Sequence, residues 1–495
     1  MKLSRNLSIG LFNSAWSACV GLASVPFYIK HLGIEAYGLI GFYLATQSIL
    51  QLLDLGITPA ISREISRQSA VGNIKESGKI LHTLAHFYWG IAITIGVLLA
   101  TFAPAIAEHW LQGNKLPKES IIRAIQLLGL VIACRWPIGL YTGALLGAER
   151  VDVSSSINIV MVVLANGGAI LVLALVSPTI EAFFTWQACV GFAYAISIRS
   201  AAWSIIGRLK VPAFNISDLK GIANFAAGMS AIGVTALVLT QIDKVILSKS
   251  LGLDEFGKYM LASVVVSSLY IVVTPVFNIV YPRFAALVVT SNTARIENLY
   301  RFGTRMLASI LFPIASMLII FSGDLLNLWI GDASLAKSVA PIIGLLAIGS
   351  VLHGVMHFPY ALQLAYGNTR LPLAINLALI TLLAPLIYYL VSHFGAVGGA
   401  GAWAILHSTY LLLGTWVTHR YLLRGIALKW LLFDVGTPMI ISAAIAATAD
   451  QILRATHTTG IWRLAACVVV LILSVLVSLA TSRQFRHMAC HRIFK

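Results

Sequence analysis

Charged residues are scarce in this chain of 495 residues: Asp, Glu, Lys and Arg make up 11% of it, while hydrophobic residues make up 59%. A soluble domain needs about a quarter of its residues charged to cover its surface, so this scarcity excludes a soluble globular protein. The 34 Lys and Arg residues lie mainly in short stretches between apolar runs, which is unlike a nucleic-acid-binding module. We therefore expect a membrane protein without a nucleic-acid partner.

Paired cysteines, long polar segments and catalytic motifs are missing from the sequence. The five cysteines show no paired spacing, which argues against disulfide or cysteine–metal sites. No polar segment exceeds about 25 residues, which leaves no room for the extracytoplasmic loop of a membrane glycosyltransferase or polymerase. The segment GNIKESGKI at 72–80 resembles a phosphate-binding loop, but its glycine spacing is too long and Ile80 replaces the magnesium-binding Ser or Thr. We expect no enzymatic activity, cofactor, metal or ATP use.

Most of the sequence consists of apolar runs of about 20 residues, the length of a membrane-spanning helix. We predict about fourteen spans, at 7–29, 36–58, 81–104, 122–146, 155–176, 182–203, 221–248, 259–281, 305–330, 338–362, 372–392, 397–418, 433–453 and 462–481. The segments on one side of these spans hold 22 Lys and Arg residues, and those on the other side hold 9. Because basic loops stay inside the cell, both termini are predicted to be cytoplasmic.

The two halves of the chain resemble each other. KHLGIEAYG at 30–38 recurs as KSLGLDEFG at 249–257, and Arg63 matches Arg283 at nearly the same offset. Matches at a constant offset over several spans indicate a duplicated unit of six spans, and an even number of spans gives both copies the same orientation. The predicted domains are an N-terminal lobe, a C-terminal lobe, and two further helices with a basic tail, at 1–215, 216–430 and 431–495.

Polar side chains inside the spans recur with helical spacing, so that they share one face of each helix. Those singled out in spans 1, 2 and 7 are Asn13, Gln47, Gln51, Asp54, Asp243 and Lys244. Taken singly, such residues often join helices by hydrogen bonds in lipid. Stripes on equivalent spans of both halves are explained together by a hydrated space. We expect an all-α polytopic membrane protein, with two six-helix lobes and two C-terminal helices around a central cationic cavity.

Arg135 lies near the middle of span 4, within the apolar sequence VIACRWPIGLY. A charge at that depth costs about 2.5–3.5 kcal/mol on insertion scales, so it must face water, a carboxylate or an anion. One interpretation is an ion pair with Asp54 or Asp243, and the other is a cavity-facing cation that attracts an anionic cargo. Arg63 and Arg283, at the cytoplasmic ends of spans 2 and 8, are either positive-inside anchors or a phosphate-receiving pair.

Two further pairs have alternative interpretations. Asp243 and Lys244 are adjacent in span 7, and they form either an internal ion pair or part of the cavity site. His353 and His357 in span 10 are four residues apart and share a helix face. We find no further metal ligands, so the histidines either pack structurally or take part in proton coupling, because imidazole titrates near neutral pH.

The sequence resembles the O-antigen and polysaccharide flippases of the multidrug/oligosaccharidyl-lipid/polysaccharide (MOP) exporter superfamily. The resemblance is carried by the LGxxxYG-type turn, by the LDLG segment followed by Arg63, and by QIDKVILSKSLGLDEFGKYMLA and FSGDLLNLWIG. It implies alternating access around a cationic lumen, driven by the membrane potential or an ion gradient. Its lumenal charged residues map onto Arg63, Arg135, Asp243, Lys244 and Arg283, with Asp54 as a further candidate.

The implied cargo is an undecaprenyl-pyrophosphate-linked oligosaccharide, moved from the cytoplasmic to the periplasmic leaflet of a bacterial inner membrane. Membrane lipids and other proteins of the polysaccharide assembly pathway are the implied partners. A flippase for the peptidoglycan lipid precursor, and a multidrug or cation antiporter of the same superfamily, are the alternatives.

Overall fold

The structure is a computed structural model that describes residues 2–54, 56–70, 74–207, 216–458 and 460–482. The predicted basic tail at 483–495 lies outside the described residues. The helices are α1 (Lys2–Leu50), α2 (Ile57–Ala70), α3 (Ile74–His109), α4 (Lys118–Gly147), α5 (Val151–Leu175), α6 (Ile180–Ile206), α7 (Ile216–Ser250), α8 (Leu253–Ser267), α9 (Tyr270–Val289), α10 (Thr293–Ile320), α11 (Ser322–Ile330), α12 (Ala333–Val355), α13 (His357–Ala365), α14 (Arg370–Tyr421), α15 (Ala427–Lys429), α16 (Thr437–Ala455) and α17 (Gly460–Ala480). A 3-10 helix (Gln51–Asp54) follows α1, and a π-helix (Trp430–Gly436) precedes α16. The predicted all-α membrane fold is confirmed.

Helix length accounts for the division into spans. Ten helical segments of the described residues are long and apolar enough to cross a membrane. α1 and α14 would each extend for about 75 Å, more than twice the hydrocarbon thickness of a bilayer. Each is interrupted by a glycine with positive φ, Gly33 at 80° and Gly395 at 56°, so each has the length of two spans. The count of fourteen spans stays a prediction.

The chain divides into two compact units, Met1–Gly257 and Lys258–Lys495. The first unit contains α1 to α7, the second contains α9 to α17, and α8 crosses the boundary. A compact unit and a repeat unit are different divisions of a chain, so the predicted lobe boundaries at 215 and 430 stay predictions. In the first unit, α4 packs against α3 and α6 and α1 packs against α5; in the second, α12 packs against α10 and α14.

Within the first unit, the two copies of the repeated turn contact each other through glycine. A Cβ on Gly38 would overlap the carbonyl oxygen of Leu253, and a Cβ on Gly257 would overlap the carbonyl oxygen of Ile34. Ile34 and Leu253 are equivalent positions of the repeat, so the contact is reciprocal. Glycine lacks the side chain that would block this approach of two backbones.

A second glycine contact places α2 beside α4, the helix that carries Arg135. A Cβ on Gly143 would lie 2.7 Å from the carbonyl oxygen of Thr58, and a Cβ on Gly147 would lie 3.0 Å from Cβ of Ile65. Small residues allow helix backbones to approach closely in a membrane, where packing contributes much of the association free energy. These glycines therefore fix the distance between α2 and α4.

We expect Gly143→Ala to lower the free energy of unfolding by about 1–3 kcal/mol, because the added methyl group would meet a backbone oxygen. The measurement is the midpoint of thermal unfolding of the purified protein in detergent. Gly90→Ala on α3 is the matched control, since nothing lies within 4 Å of the Cβ it would add. Equal midpoints for the two variants would contradict close packing of α2 on α4.

Candidate functional site

Two neutral side chains hold the Arg135 guanidinium. Nη1 donates to the Tyr43 hydroxyl oxygen on α1 at 3.0 Å, and Nη2 donates to the Gln187 amide oxygen on α6 at 2.5 Å. The guanidinium carbon lies 6.0 Å from the centre of the Tyr43 ring, within the range of a cation–π interaction. Nε is buried and has no hydrogen-bond partner in the described part of the chain. These contacts orient the guanidinium and leave its positive charge in place.

Three helices position the Arg135 side chain. Gln187 is 5% exposed, and its amide nitrogen donates to the carbonyl oxygen of Ala165 on α5 at 3.2 Å, so its oxygen is directed at the guanidinium. Tyr43 is also buried. A Cβ on Gly191, one turn beyond Gln187, would lie 3.1 Å from Cγ of Arg135, so the glycine leaves room for the arginine stem. The site is therefore preorganised by packing.

Asp54 bonds to a different set of groups from Arg135. Its carboxylate accepts hydrogen bonds from the Thr58 amide at 3.3 Å and the Thr58 hydroxyl at 2.8 Å, and from the Tyr88 hydroxyl on α3. These bonds tie the 3-10 segment to the start of α2 and to α3. The ion pairs of the described residues include no pair of Arg135 with Asp54 or with Asp243. In this structure Asp54 acts as a local helix anchor.

Asp243 and Lys244 form an ion pair within α7. Nζ of Lys244 lies 3.2 Å from each carboxylate oxygen of Asp243 and donates to the carbonyl oxygen of Thr240 at 2.9 Å. Adjacent helical residues point in different directions. The Lys244 side chain therefore folds toward the preceding turn of α7, where it reaches both Asp243 and the carbonyl oxygen of Thr240. The Asp243 side chain is 2% exposed and that of Lys244 is 17% exposed. This geometry favours the internal-pair interpretation.

The polar stripe of span 1 joins helices of the first unit. Asn13 and Ser17 on α1 both accept hydrogen bonds from the amide nitrogen of Asn158 on α5, at 2.8 and 3.2 Å. The Tyr194 hydroxyl on α6 donates to the Asn158 oxygen at 3.0 Å. For Asn13, the bonding observed is therefore the interhelical alternative.

The remaining predicted site residues are more accessible. Gln47 is half-buried, whereas Gln51, Arg63 and Arg283 are exposed. Arg63 lies on α2 and Arg283 on α9, in different compact units. Their place in a binding site stays a prediction.

The structure brings His353 and His357 together with Tyr270 and with His407, of which the sequence reasoning missed only His407. The Tyr270 hydroxyl lies 2.6 Å from Nδ1 of His353, and the His407 ring lies 4.8 Å from the His353 ring. Gln187 beside Arg135 was missed in the same way. Gln187 and His407 are each polar groups within an apolar span, which is a usable signal, but helical periodicity does not show which spans meet.

The Arg135 site is suited to binding an anion. A guanidinium presents a planar set of donors that matches two oxygens of a phosphate, and its attraction for an anion is strong where little water is present. Among the described residues, no group of three or more His, Cys, Asp or Glu side chains is placed to hold a metal ion.

Residues 31–336 match the model of a family described as "Polysaccharide biosynthesis protein". The Shigella flexneri protein named "Putative O-antigen transporter" is 24% identical over 425 residues, which cover 85% of this chain and 98% of that protein. The structure of lipid II flippase MurJ in an inward closed conformation matches with 14% identity and a TM-score of 0.69, over 97% of this chain and 99% of MurJ. An inward-facing MATE multidrug transporter of the MOP superfamily matches with 14% identity and a TM-score of 0.63, over 82% and 95% of the two chains. At these identities the solved structures show a shared fold.

We expect Tyr88→Phe to lower the free energy of unfolding by about 1.5–3 kcal/mol, the contribution of a hydrogen bond to a charged group, because Asp54 loses its donor on α3. The measurement is the thermal midpoint in detergent. Tyr366→Phe, at a more exposed tyrosine, is the control. If Tyr88→Phe leaves the midpoint unchanged, Asp54 does not anchor α3.

Proposed function

Because the chain belongs to the polysaccharide biosynthesis protein family and has the fold of MOP-superfamily transporters, we propose that it flips an undecaprenyl-pyrophosphate-linked oligosaccharide. The cargo moves by alternating access from the cytoplasmic to the periplasmic leaflet of a bacterial inner membrane, and both termini are cytoplasmic. Similarity to the Shigella flexneri protein over 85% of the chain supports this cargo class.

The observation that carries the proposal is the environment of Arg135. Retaining a cation in a membrane-spanning helix costs free energy, and its bonds to Tyr43 and Gln187 leave the charge available to an anion. The pyrophosphate of the cargo supplies that anion, and the guanidinium binds two of its oxygens. Arg63 and Arg283, which are exposed, are proposed to receive the pyrophosphate at the cytoplasmic side. Lys244 is a weaker candidate because Asp243 already balances its charge.

Polar groups and the membrane potential meet the other requirements of this cargo. Sugar hydroxyls are costly to bury without partners, and side chains such as Gln47 and Gln51 offer hydrogen bonds along the path. The lipid tail stays in the bilayer. Moving about two negative charges outward across a potential of about 100 mV, inside negative, is favourable by roughly 4–5 kcal/mol. We therefore propose that the membrane potential, or an ion gradient added to it, drives export without ATP.

Deletion of the gene with lipid analysis tests the cargo class. We expect loss of one surface polysaccharide, with its lipid-linked repeat unit trapped on the cytoplasmic side, because the sugar cannot cross hydrocarbon. Complementation with the intact gene is the control. Accumulation of the peptidoglycan lipid precursor, with the polysaccharide unchanged, would contradict this cargo. It would instead support the alternative of a peptidoglycan-precursor flippase, which is compatible with the similarity of the fold to MurJ.

We expect Arg135→Ala to reduce export about 10- to 100-fold, because the cargo loses charge-assisted hydrogen bonds worth about 1.5–3 kcal/mol. Arg135→Lys should restore export in part, since lysine keeps the charge but not the planar set of donors. Polysaccharide output is measured together with the amount of protein in the membrane. Normal export by the alanine variant would remove Arg135 from the mechanism.

Gln187→Glu separates the charge of Arg135 from its packing. The substitution places a carboxylate where the amide oxygen now lies, 2.5 Å from Nη2, so Arg135 stays in position but its charge is balanced. We expect this variant to lose export as Arg135→Ala does. Gln187→Met, of similar size and uncharged, is the matched control and should export better. Export by Gln187→Glu at the level of the intact protein would show that a free positive charge is not required.

A further inference from the structure

Three imidazole rings from three helices meet in the second unit. The ring of His353, in the last turn of α12, lies 5.0 Å from that of His357, the first residue of α13. It also lies 4.8 Å from the ring of His407 on α14. His407 is 1% exposed, and the other two are half-buried. We call these three residues the histidine cluster. Ionisable side chains are costly in membrane-spanning helices and are often functional there.

Backbone carbonyl groups fix the proton position in two of the rings. Nδ1 of His357 lies 3.0 Å from the carbonyl oxygen of His353, and Nδ1 of His407 lies 3.0 Å from the carbonyl oxygen of Trp403. Because a carbonyl oxygen only accepts, Nδ1 is the nitrogen that carries hydrogen in each ring. Nε2 is therefore the nitrogen whose lone pair can bind a further proton.

The third ring has a partner that suits both of its protonation states. Nδ1 of His353 lies 2.6 Å from the hydroxyl oxygen of Tyr270. A tyrosine hydroxyl can donate to a neutral imidazole nitrogen and can accept from a protonated one. Reorientation of the hydroxyl hydrogen therefore keeps this bond when His353 gains or loses a proton.

The surroundings of the histidine cluster limit it to one added proton. Four neutral side chains of α9 and α14 contact the rings directly, namely Tyr270, Phe277, Trp403 and Tyr410. Two more neutral side chains contact these neighbours, Ser350 of α12 with Trp403 and Tyr360 of α13 with Phe277. A proton bound at His353 places a positive charge 5.0 Å from the ring of His357 and 4.8 Å from the ring of His407, measured between ring centres. A second proton would be repelled by the first charge in surroundings that contain little water.

The histidine cluster also lies at interruptions in two pairs of helices. α12 ends at Val355 and α13 begins at His357, while α8 ends at Ser267 and α9 begins at Tyr270. Changes of backbone conformation in hinged proteins are concentrated in a few residues at the ends of elements. A charge gained or lost by the histidine cluster therefore lies beside the helix ends at which the backbone can change conformation.

We propose that the histidine cluster is a single proton-binding site that couples export of the lipid-linked cargo to inward proton movement. The coupling rests on the proposed flippase function. A proton from water on the periplasmic side adds to an imidazole lone pair, giving one imidazolium with a new N–H bond. The same proton leaves to cytoplasmic water after the conformational change. The net exchange is one proton inward for each cargo molecule outward.

Proton counting on the purified protein tests the site without cargo. The protein in detergent is moved from about pH 8 to pH 5, the range in which imidazoles titrate, and its proton uptake is measured with a pH-sensitive dye. Simultaneous His→Gln substitution at His353, His357 and His407 should remove one bound proton. Removal of three protons would mean three independent histidines, and removal of none would mean structural packing alone; either result overturns the proposal.

Coupling is tested in vesicles that contain the protein and an undecaprenyl-pyrophosphate-linked disaccharide, with the membrane potential held at zero. The distribution of the disaccharide between leaflets is read by its accessibility to periodate. Since exchange of one proton against one cargo converts one pH unit into a tenfold concentration ratio, we expect a tenfold shift toward the acidic side. His353→Gln should abolish the shift. His393→Gln is the control, because that exposed histidine bonds a carbonyl in the same way and should keep it.

The outcomes separate the coupling from the proposed function. Cargo movement by the intact protein that ignores the pH difference overturns proton coupling and leaves the flippase function standing. Failure to move cargo at all overturns the flippase function, while proton counting still decides the site. If the triple variant does not fold, Tyr270→Phe, which keeps the ring and removes only the hydroxyl, should move the midpoint of the proton-uptake curve. An unchanged midpoint would then overturn the site.

Discussion

A positive charge that cannot be lost, held in a helix that crosses hydrocarbon, is the constraint on which the first unit depends. The Arg135 guanidinium must keep its hydrogen bonds, and Tyr43 and Gln187 supply them. Those partners come from α1 and α6, so the helices have to meet α4 at the right depth. Gln187 in turn bonds to the backbone of α5. One side chain thus links four helices, and its neutral partners leave the charge free to act on an anion.

Glycine provides the short distances that this arrangement needs. Gly143 and Gly147 bring α2 against α4, while Gly191 makes room for the stem of Arg135 on α6. The two copies of the repeated turn contact each other at Gly38 and Gly257, so the recurring sequence motif has a direct packing role. In each case a methyl group would occupy space that another backbone or side chain already fills. These contacts explain the use of glycine at these positions, although glycine has no side chain to bury.

The polar residues of the spans serve two purposes, and sequence spacing does not distinguish them. Asn13 and Asp54 bond to neighbouring helices and stabilise the fold. Asp243 and Lys244 satisfy each other within α7. By contrast, Arg135 and the histidine cluster combine ionisable groups with neutral partners. In the first arrangement the polar groups satisfy one another. In the second they keep the capacity to bind a charged species, which the proposed exchange of an anionic cargo for a proton requires.

The sequence by itself determined the membrane class and the helical fold, because hydrocarbon thickness fixes the length of an apolar run. It also predicts a duplicated unit, and it marked Arg135, His353 and His357 as ionisable residues whose place in a membrane-spanning helix costs free energy. It could not select the partners of Arg135, find His407, or show that Tyr270 meets His353. Periodicity reports which residues share a face of one helix, but contacts between helices depend on which faces pack together. Only the tertiary structure decided that Asp54 anchors Thr58 and Tyr88, because this choice follows from distances between helices that no local pattern contains.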